Sequence, residues 1–468
     1  RKIHYLENQE RKEKETEAKI NLMFFKEIYT YEDWQNIEET SYENYRLMND
    51  IDFYGKEAIK HNLYVNRLVS DGKALKNIKL QWDQGMTGMI KQLKSELTNI
   101  IFQNITLENT GSGDYVGVIV FSSADINKVK FESIQINAKK INYVAPISDS
   151  TLGKIDEIEI KNIEVVGNNY TAGLIAQSSY NSEIGMLTGD SVVVEASGSF
   201  VGGVTGSLSR SFVQSVELKN ATIRGVEHVG GIAGVGCVRF AEISGSDIEG
   251  TRYVGGIAGE LKRITNEPSD QRLIARESKI VSKGAFLGGI AGRMPHGTQY
   301  CLVEDCFIEG TTVDADMVGG ITGYIQFESS GEKVVKNTQI KSLGENVGGI
   351  VGYFIYERLY RGLFQDSSVE GAENVGGIVG YATGVDVARS YSNSLVKSTK
   401  QNAGGVIGYL NNTGMTTTIN NSHLYNTYYA DNKIQAPKNV GGLIGNIAED
   451  LYTGGKYFYS NYVEAELE

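Results

Sequence analysis

The sequence has few of the residues on which metal sites and disulfide frameworks depend. Its 468 residues include 5 histidines, 3 cysteines and 4 prolines. Three cysteines are too few for a disulfide framework, so we predict that Cys237, Cys301 and Cys306 are small buried side chains. The histidines are isolated and no His-Glu-x-x-His motif occurs. The sequence therefore predicts neither a metal site nor a cofactor.

Positive charge and long apolar runs are also scarce. The chain has 45 basic against 57 acidic residues and a net charge of −12, so no broad basic face is available for phosphate groups. We therefore expect no nucleic-acid partner. No stretch approaches the roughly 20 apolar residues that a membrane-spanning helix requires, so we expect no membrane insertion. The chain begins at Arg1 without a signal peptide or a wall-anchoring tail, and we interpret it as a piece of a longer protein.

Glycine, in contrast, is abundant, because one motif recurs along the chain. The motif Val-Gly-Gly-Ile-Ala-Gly at 229–234 is repeated unchanged at 254–259, and close variants begin at positions 201, 287, 318, 347, 375, 403 and 440. The first glycines of these nine copies are 28, 25, 33, 31, 29, 28, 28 and 37 residues apart. Weaker copies begin at positions 116, 144 and 171, so the repeat occupies roughly residues 101–465. A fixed period of this size predicts a solenoid.

Within one repeat the apolar residues follow the pattern of short strands. In the segment 215–225, we expect Val216, Leu218, Ala221 and Ile223 to face one way, with the chain turning at Asn220. Three short strands in about 28 residues are typical of one coil of a parallel β-helix. The predicted fold is therefore an all-β, right-handed parallel β-helix of about twelve coils, with the hand taken from the general preference of parallel crossovers.

The paired glycines have a predicted structural role. Each pair separates two apolar residues by three positions, which simple alternation would place on opposite faces of a strand. We expect a bulge, or a positive φ at one glycine, to return both apolar residues to the interior. The missing Cβ atoms would also let neighbouring coils stack closely. These repeat glycines are Gly202, Gly203, Gly230, Gly231, Gly255, Gly256, Gly288, Gly289, Gly319, Gly320, Gly348, Gly349, Gly376, Gly377, Gly404, Gly405, Gly441 and Gly442.

The chain divides into three predicted regions. Residues 1–30 are charged and indicate a helix or a linker. Residues 31–100 lack the Gly-Gly motif and indicate an N-terminal cap with the first strands, including a short helix from Tyr31 to about Glu39. Residues 101–468 contain the repeats.

Two sets of side chains are candidates for chemistry. Parallel β-helix enzymes that act on polysaccharides cluster carboxylates with a basic side chain, and the candidates here are Glu304, Asp305, Asp314, Asp316 and Arg293. The alternative interpretation is that these are solvated turn residues, and we predict no catalytic residue.

Tyrosine is the other candidate, with 27 residues, some of them clustered. Exposed aromatic rings stack on sugars or anchor protein partners, and long loops on rigid scaffolds often carry binding sites. The alternative is that the rings alternate into the core. The candidate binding residues are Tyr353, Tyr356, Tyr360, Tyr425, Tyr428 and Tyr429, the last three of which lie in the longest repeat.

The motif Val-Gly-Gly-Ile-x-Gly at this spacing resembles the GLUG repeat of bacterial surface proteins. The lead-in at 45–53, Tyr-Arg-Leu-Met-Asn-Asp-Ile-Asp-Phe, resembles the segment that precedes such repeats. Proteins with GLUG repeats include adhesins and the N-terminal repeat region of immunoglobulin A-specific streptococcal metalloproteases. The resemblance implies an accessory or targeting region and assigns no catalytic residue. The Lys-, Asn-, Ile- and Tyr-rich composition would suit a Gram-positive source.

The combined expectation is a non-catalytic, surface-exposed virulence-type module, secreted or held at the cell surface. It would act as a rigid spacer and interaction platform within a larger bacterial protein. Expected partners are a host or matrix protein, a glycan, or other domains of the same protein. One alternative is a polysaccharide lyase or hydrolase of the parallel β-helix type. Another is end-to-end self-association of uncapped coils.

Overall fold

A computed structural model describes residues 3–7, 10–14, 24–56, 63–86, 88–262, 271–294, 300–325, 331–355, 358–411, 423–425, 427–448, 457–459 and 461–468. Most of the described chain is β-strand, and the described residues include one short helix. Apart from one antiparallel pair near the N-terminus, the strand pairs are parallel and join each coil to the next. The predicted all-β parallel solenoid of about twelve coils is confirmed.

The solenoid has three faces, each made of strands from successive coils. The glycine face contains one strand from each of twelve coils, and these strands end at or just before the repeat glycines. They are β8 Tyr115–Val116, β12 Tyr143–Val144, β15 Thr171–Ala172, β17 Val201–Gly202, β20 Glu227–Gly230, β23 Arg252–Gly255, β27 Leu287–Gly288, β31 Val318–Gly319, β35 Glu345–Gly348, β39 Ser368–Gly376, β43 Leu395–Gly404 and β47 Val440–Gly441.

The second face follows directly after the glycine pairs. Its strands are β9 Ile119–Ser122, β10 Asp125–Asn127, β13 Ile147–Asp156, β16 Ile175–Ala196, β18 Thr205–Lys219, β21 Ala233–Ser244, β24 Ala258–Leu261, β28 Ala291–Met294, β32 Thr322–Ile325, β36 Val351–Ile355, β40 Val379–Thr383, β44 Ile407–Asn411 and β48 Ile444–Ile447. The strands β16, β18 and β21 continue past this face into the third.

The third face completes each coil. Its strands are β11 Lys130–Asn137, β14 Ile158–Gly167, β19 Thr222–Arg224, β22 Asp247–Gly250, β25 Arg272–Arg276, β26 Lys279–Ser282, β29 Tyr300–Glu304, β30 Phe307–Gly310, β33 Lys333–Lys336, β34 Gln339–Ser342, β38 Gly362–Gln365, β42 Tyr391–Ser392, β46 Tyr428–Gln435 and β50 Tyr462–Leu467. The C-terminal coils add a small side sheet of β37 Arg358–Tyr360, β41 Asp386–Ala388, β45 His423–Tyr425 and β49 Tyr457–Tyr459.

The core is the shared interior of the coils. On the third face, Ile158, Leu187, Val216 and Ala241 lie in register on successive strands and are each at most 5% exposed. Alternation of buried and exposed side chains along each strand puts such a column on the inside. Asn220 has a φ of 53°, so the predicted turn falls where the sequence indicates it. One continuous cluster of buried apolar residues extends from Ile28 to Ile434.

The glycine pairs act through their missing Cβ atoms. None of the repeat glycines has a positive φ, so that alternative is wrong. Instead of a bulge, the chain turns a corner, because β20 ends at Gly230 and β21 begins at Ala233. A Cβ atom on Gly231 would lie 2.2 Å from the carbonyl oxygen of Gly256 in the next coil. A Cβ atom on Gly230 would lie 2.1 Å from the carbonyl oxygen of Ala233. The corner therefore depends on close backbone contact within and between coils.

The first turns of the chain differ in part from the expectation for residues 1–100. The strands are β1 Ile3–Glu7, β2 Glu10–Lys14, β3 Lys26–Ile28, β4 Glu43–Leu47, β5 Ile51–Asp52, β6 Leu63–Gln84 and β7 Ile90–Ser112. β1 and β2 form an antiparallel pair, whereas the expectation for residues 1–30 was a helix or a linker. β3, β4, β6 and β7 pair in parallel, so the winding begins upstream of residue 101.

The short helix α1, Tyr31–Gln35, lies within the segment predicted to be helical. Its N-cap is Thr30, whose hydroxyl accepts from the backbone N–H of Asp33, while the Asp33 carboxylate accepts from the backbone N–H of Thr30. This reciprocal capping satisfies N–H groups that a helix start leaves open. Trp34 of α1 is fully buried and packs edge-on against Phe53. The helix therefore covers apolar side chains at the start of the winding.

The three cysteines are buried and free, as predicted. The Cys306 thiol lies 3.3 Å from the carbonyl oxygen of Glu304, and burial raises its pKa to about 11. Such a thiol stays protonated and inert near neutral pH. Among the described residues, no group of three or more His, Cys, Asp or Glu side chains is placed to hold a metal ion. The described part of the chain also contains no helix with the length and apolarity to cross a membrane.

Candidate functional site

The corner before each glycine strand carries a column of stacked rings. We call the seven rings that directly precede the first residue of the motif in seven successive coils the N-terminal ring ladder. Neighbouring ring centroids are 4.6–5.0 Å apart and the ring planes lie within 17° of parallel. The rings are half-buried, so their edges meet solvent. The members are Tyr115, Tyr143, Tyr170, Phe200, His228, Tyr253 and Phe286.

The backbone explains why the rings meet. Tyr170, Phe200, His228, Tyr253 and Phe286 each have a φ between 50° and 68°, in the left-handed region. The in-register pairing of the following residues repeats this bend every coil. Identical positions one coil apart are separated by about 4.8 Å, which suits offset stacking of aromatic rings.

Asparagines take over the same position in the C-terminal coils. The side-chain amides of Asn374, Asn402 and Asn439 each donate to the amide oxygen of the asparagine one coil earlier, over 2.7–2.9 Å. The series starts at Asn346, and all four residues have a φ between 55° and 62°. Asparagine tolerates this conformation better than most residues and satisfies its amide in a ladder.

A second column, the C-terminal ring ladder, stands on the second face. It consists of Tyr324, Tyr353, Tyr381 and Tyr409, which lie in register on β32, β36, β40 and β44. The successive centroid distances are 5.9, 4.7 and 5.4 Å, and all four rings are half-buried. Tyr324 meets Phe286 edge-on at 5.9 Å, so the two ladders are in contact. Eleven rings thus line one edge of the solenoid, which we call the ring edge.

Polar groups interrupt the ring edge near its middle. Nε2 of His228 lies 3.4 Å from a carboxylate oxygen of Glu260, and the guanidinium of Arg293 lies 3.7 Å from the other oxygen. The hydrogen bond with His228 lowers the pKa of Glu260, with a further contribution from Arg293. Nδ1 of His228 is buried and has no hydrogen-bond partner in the described structure.

The Glu260 contact predicts a defined acid response. Because the pKa of Glu260 is lowered on folding, its stabilising contribution is present above the pKa of an unfolded glutamate and is lost as the pH falls through the folded value. We expect Glu260→Gln to lower the free energy of unfolding by about 1–2 kcal/mol at pH 7, with no difference from the wild type in strong acid. Urea unfolding at several pH values measures this.

The control is Glu249→Gln, because Glu249 is 43% exposed and pairs with Lys283 at the surface. That change should alter stability little at any pH. A Glu260→Gln penalty that persists unchanged below pH 3 would show that packing, not charge, produces the effect.

The structure does not bring the acidic candidates together. Glu304 pairs with Arg276 at 3.1 Å on the third face, whereas Arg293 belongs to the second face beside Glu260. Asp305 is a turn residue with a φ of 55°. Asp316 accepts a hydrogen bond from the backbone N–H of Glu345 at 2.7 Å. The charged groups of Glu304, Arg293 and Asp316 each make a contact between coils.

The tyrosine candidates have separate positions. Tyr353 belongs to the C-terminal ring ladder. Tyr429 is fully buried, and its hydroxyl donates to the carbonyl oxygen of Ser394 at 2.9 Å, so its assignment to a binding surface is wrong. The physical reason is alternation along β46, which turns Tyr429 inward. Tyr356 lies outside the described residues.

Register brings the remaining candidates to two columns of the C-terminal coils. Tyr360 and Tyr425 occupy equivalent positions on β37 and β45 of the side sheet, with Ala388 between them. Tyr428 lies between Tyr391 and Tyr462 on the third face. Tyr462 is 50% exposed and Tyr391 is half-buried. Sequence reasoning missed this second column and the ring edge, although aligning the repeats places an aromatic residue before most of the early motifs.

The fold and the ring edge define a class of protein, an all-β parallel solenoid with in-register ladders of rings and amides. The chain matches no protein-family model and no curated protein. Among solved structures it is similar to a crystal structure described as a "putative immunoglobulin A1 protease" from Bacteroides ovatus. The identity is 12% and the TM-score 0.22, with 94% of this chain and 84% of the other covered. A likeness this distant carries no argument about function.

Proposed function

We propose that this chain is a non-catalytic spacer and interaction platform of a larger, secreted or surface-exposed bacterial protein. The observation that carries the proposal is the unbroken apolar core, which joins the coils from Ile28 to Ile434 into one cluster. Repeats that pack only on their neighbours through such a core make an extended body with continuous surfaces. The resemblance to GLUG repeats, an extracellular location and a role in adhesion belong to this proposal.

The charged groups support a non-catalytic role. The carboxylates of Glu304 and Asp316 make separate contacts between coils, and the Glu260 carboxylate is paired with His228 and Arg293. Most glycoside hydrolases use two carboxyl groups that flank the bond to be cleaved. Glu304 makes its contact on the third face, whereas Asp316 contacts the start of β35 on the glycine face.

The ring edge supplies a contact surface for a partner. It presents eleven half-buried rings along successive coils, so a protein or a glycan lying along the solenoid would meet aromatic edges and tyrosine hydroxyls at regular intervals. Tyrosine is favoured in such surfaces because it gives a large amphipathic contact at low entropic cost. We therefore place the platform's binding surface on this edge.

A binding screen of the whole chain against host glycans and matrix proteins tests the proposal, with polysaccharide turnover assayed in the same wells. We expect saturable binding without product, and we expect Tyr143→Ser with Tyr353→Ser to weaken it by at least about tenfold, the loss of one or more interface anchors. Tyr54→Ser is the matched control, since Tyr54 is 82% exposed and outside the ladders. Release of oligosaccharide product would overturn the non-catalytic assignment. If the double variant binds as tightly as the wild type, the ring edge is not the binding surface.

A further inference from the structure

The C-terminal ring ladder holds phenols in an arrangement that suits oxidative coupling. Tyr353 and Tyr381 have ring centroids 4.7 Å apart and ring planes only 4° from parallel. Their residues are directly paired in the parallel register of β36 and β40, so equivalent atoms of the two rings lie opposite each other. Of the three neighbouring pairs in this ladder, this one is the shortest and the most nearly parallel.

We propose that Tyr353 and Tyr381 form a site of intramolecular dityrosine cross-linking under peroxide stress. One-electron oxidation with loss of the phenolic proton converts each tyrosine to a phenoxyl radical, whose unpaired electron is shared between the oxygen and the ring carbons beside it. Two such radicals join through a carbon–carbon bond between those carbons, and the two ring hydrogens then move to the phenol oxygens. With peroxide as the oxidant, two tyrosines and one hydrogen peroxide give one dityrosine and two waters.

The surroundings of the pair favour coupling over escape of the radical. Both rings are half-buried, so the ring edges are open to a peroxide-derived oxidant while the backbone holds the rings in place. The Tyr381 hydroxyl accepts a hydrogen bond from the side-chain amide of Asn411 at 2.5 Å, which fixes that ring. Tyr324 and Tyr409 stack on either side, so a radical formed at any ladder position has a path to the closest pair.

A bond at this site would tie two adjacent coils covalently. Tyr353 and Tyr381 are 28 residues apart in sequence, which is one repeat. In-register neighbours already lie about 4.8 Å apart, so only the rings need to move for the bond to form. Closing a loop of this size restricts the unfolded chain more than the folded one and so stabilises the solenoid.

The test treats the whole chain with a heme peroxidase and hydrogen peroxide at low protein concentration. The readouts are dityrosine fluorescence, protein mass and the masses of protease fragments. We expect a monomer that has lost two hydrogens and a linked fragment pair containing Tyr353 and Tyr381. Tyr381→Phe keeps the stacked ring and removes the phenol, so this linked pair should disappear. Tyr54→Phe should leave it unchanged.

Two results would overturn the proposal. One is a wild-type chain that yields no intramolecular dityrosine while a free tyrosine peptide in the same tube does couple. The other is a dominant cross-link between other tyrosines, such as the stacked pair Tyr115 and Tyr143 of the N-terminal ring ladder, whose centroids are also 4.7 Å apart but whose planes are 15° from parallel. A folded circular-dichroism spectrum for Tyr381→Phe separates loss of the phenol from loss of the fold.

Discussion

Gly231→Ala is expected to lower the free energy of unfolding by several kcal/mol, well beyond the roughly 1 kcal/mol scale of backbone propensity. The added Cβ would lie 2.2 Å from both the carbonyl oxygen of Gly256 and Cδ1 of Ile243. The side chain of Ile243 can shift to some extent, but the Gly256 oxygen belongs to the backbone of the next coil. Relief therefore requires the two coils to separate locally, with loss of their stacking. Thermal and urea unfolding of the purified variant measure the change.

The control for this prediction is Gly362→Ala. Gly362 also lies in a strand and lacks a positive φ, yet an added Cβ would approach its nearest neighbours, Ile378 and Ser390, only to 3.3 Å. The free energy of unfolding of the Gly362→Ala variant should therefore differ from that of the wild type by less than about 1 kcal/mol. If the two alanine variants unfold alike, close approach of coils at the glycine corner is not what selects glycine there.

Lys333→Met is expected to stabilise the protein by about 1–3 kcal/mol at pH 7, because it removes a charge from the core. Lys333 is 2% exposed and lies in the inward column beside Cys301. Its ammonium group donates to the carbonyl oxygen of Gly331 at 2.8 Å, which offsets part of the cost. Burial lowers the pKa of Lys333 from 10.5 to about 8. Methionine has similar length and carries no charge.

The pH dependence of Lys333→Met follows from the lowered pKa. Below pH 8 the folded state holds a buried ammonium, so the stabilisation by methionine is fully present. It shrinks as the pH rises from about 8 to 10.5, because the unfolded wild type then binds more protons than the folded wild type. Unfolding of both proteins across this range checks the trend. Lys336→Met is the control, since Lys336 is 43% exposed on the same strand and should show no such gain.

The repeat spacing predicted the fold because it expresses a physical constraint. Every coil must return to the same register, so the motif recurs whenever the winding completes a turn, and the alternation around Val216 and Leu218 identifies the inward side. The start of the solenoid was harder to predict from the sequence, because β6 and β7 pair in parallel without a Gly-Gly motif. The right-handed winding stays a prediction from the general preference of parallel crossovers.

The candidate site was harder to predict, because it depends on which side of a strand each ring occupies. Tyr428 and Tyr429 are adjacent in sequence, and a shift of one residue exchanges the inner and outer sides. Sequence alone also places the left-handed φ at the glycines, the residues that tolerate it best. The structure places it two residues before the first glycine of the pair, at positions such as His228 and Asn374.

Because the coils stack in register, the length of the solenoid can change only by whole coils. From Gly319 to Gly404 the motif recurs after 29, 28 and 28 residues, and each recurrence advances the chain by one strand spacing of about 4.8 Å. A genetic change that duplicates or deletes a whole turn would move whatever is attached at either end by one fixed step and one fixed rotation. A shorter insertion would emerge at a corner and leave that distance unaltered. Evolution can thus change the length of this scaffold in steps of one whole coil.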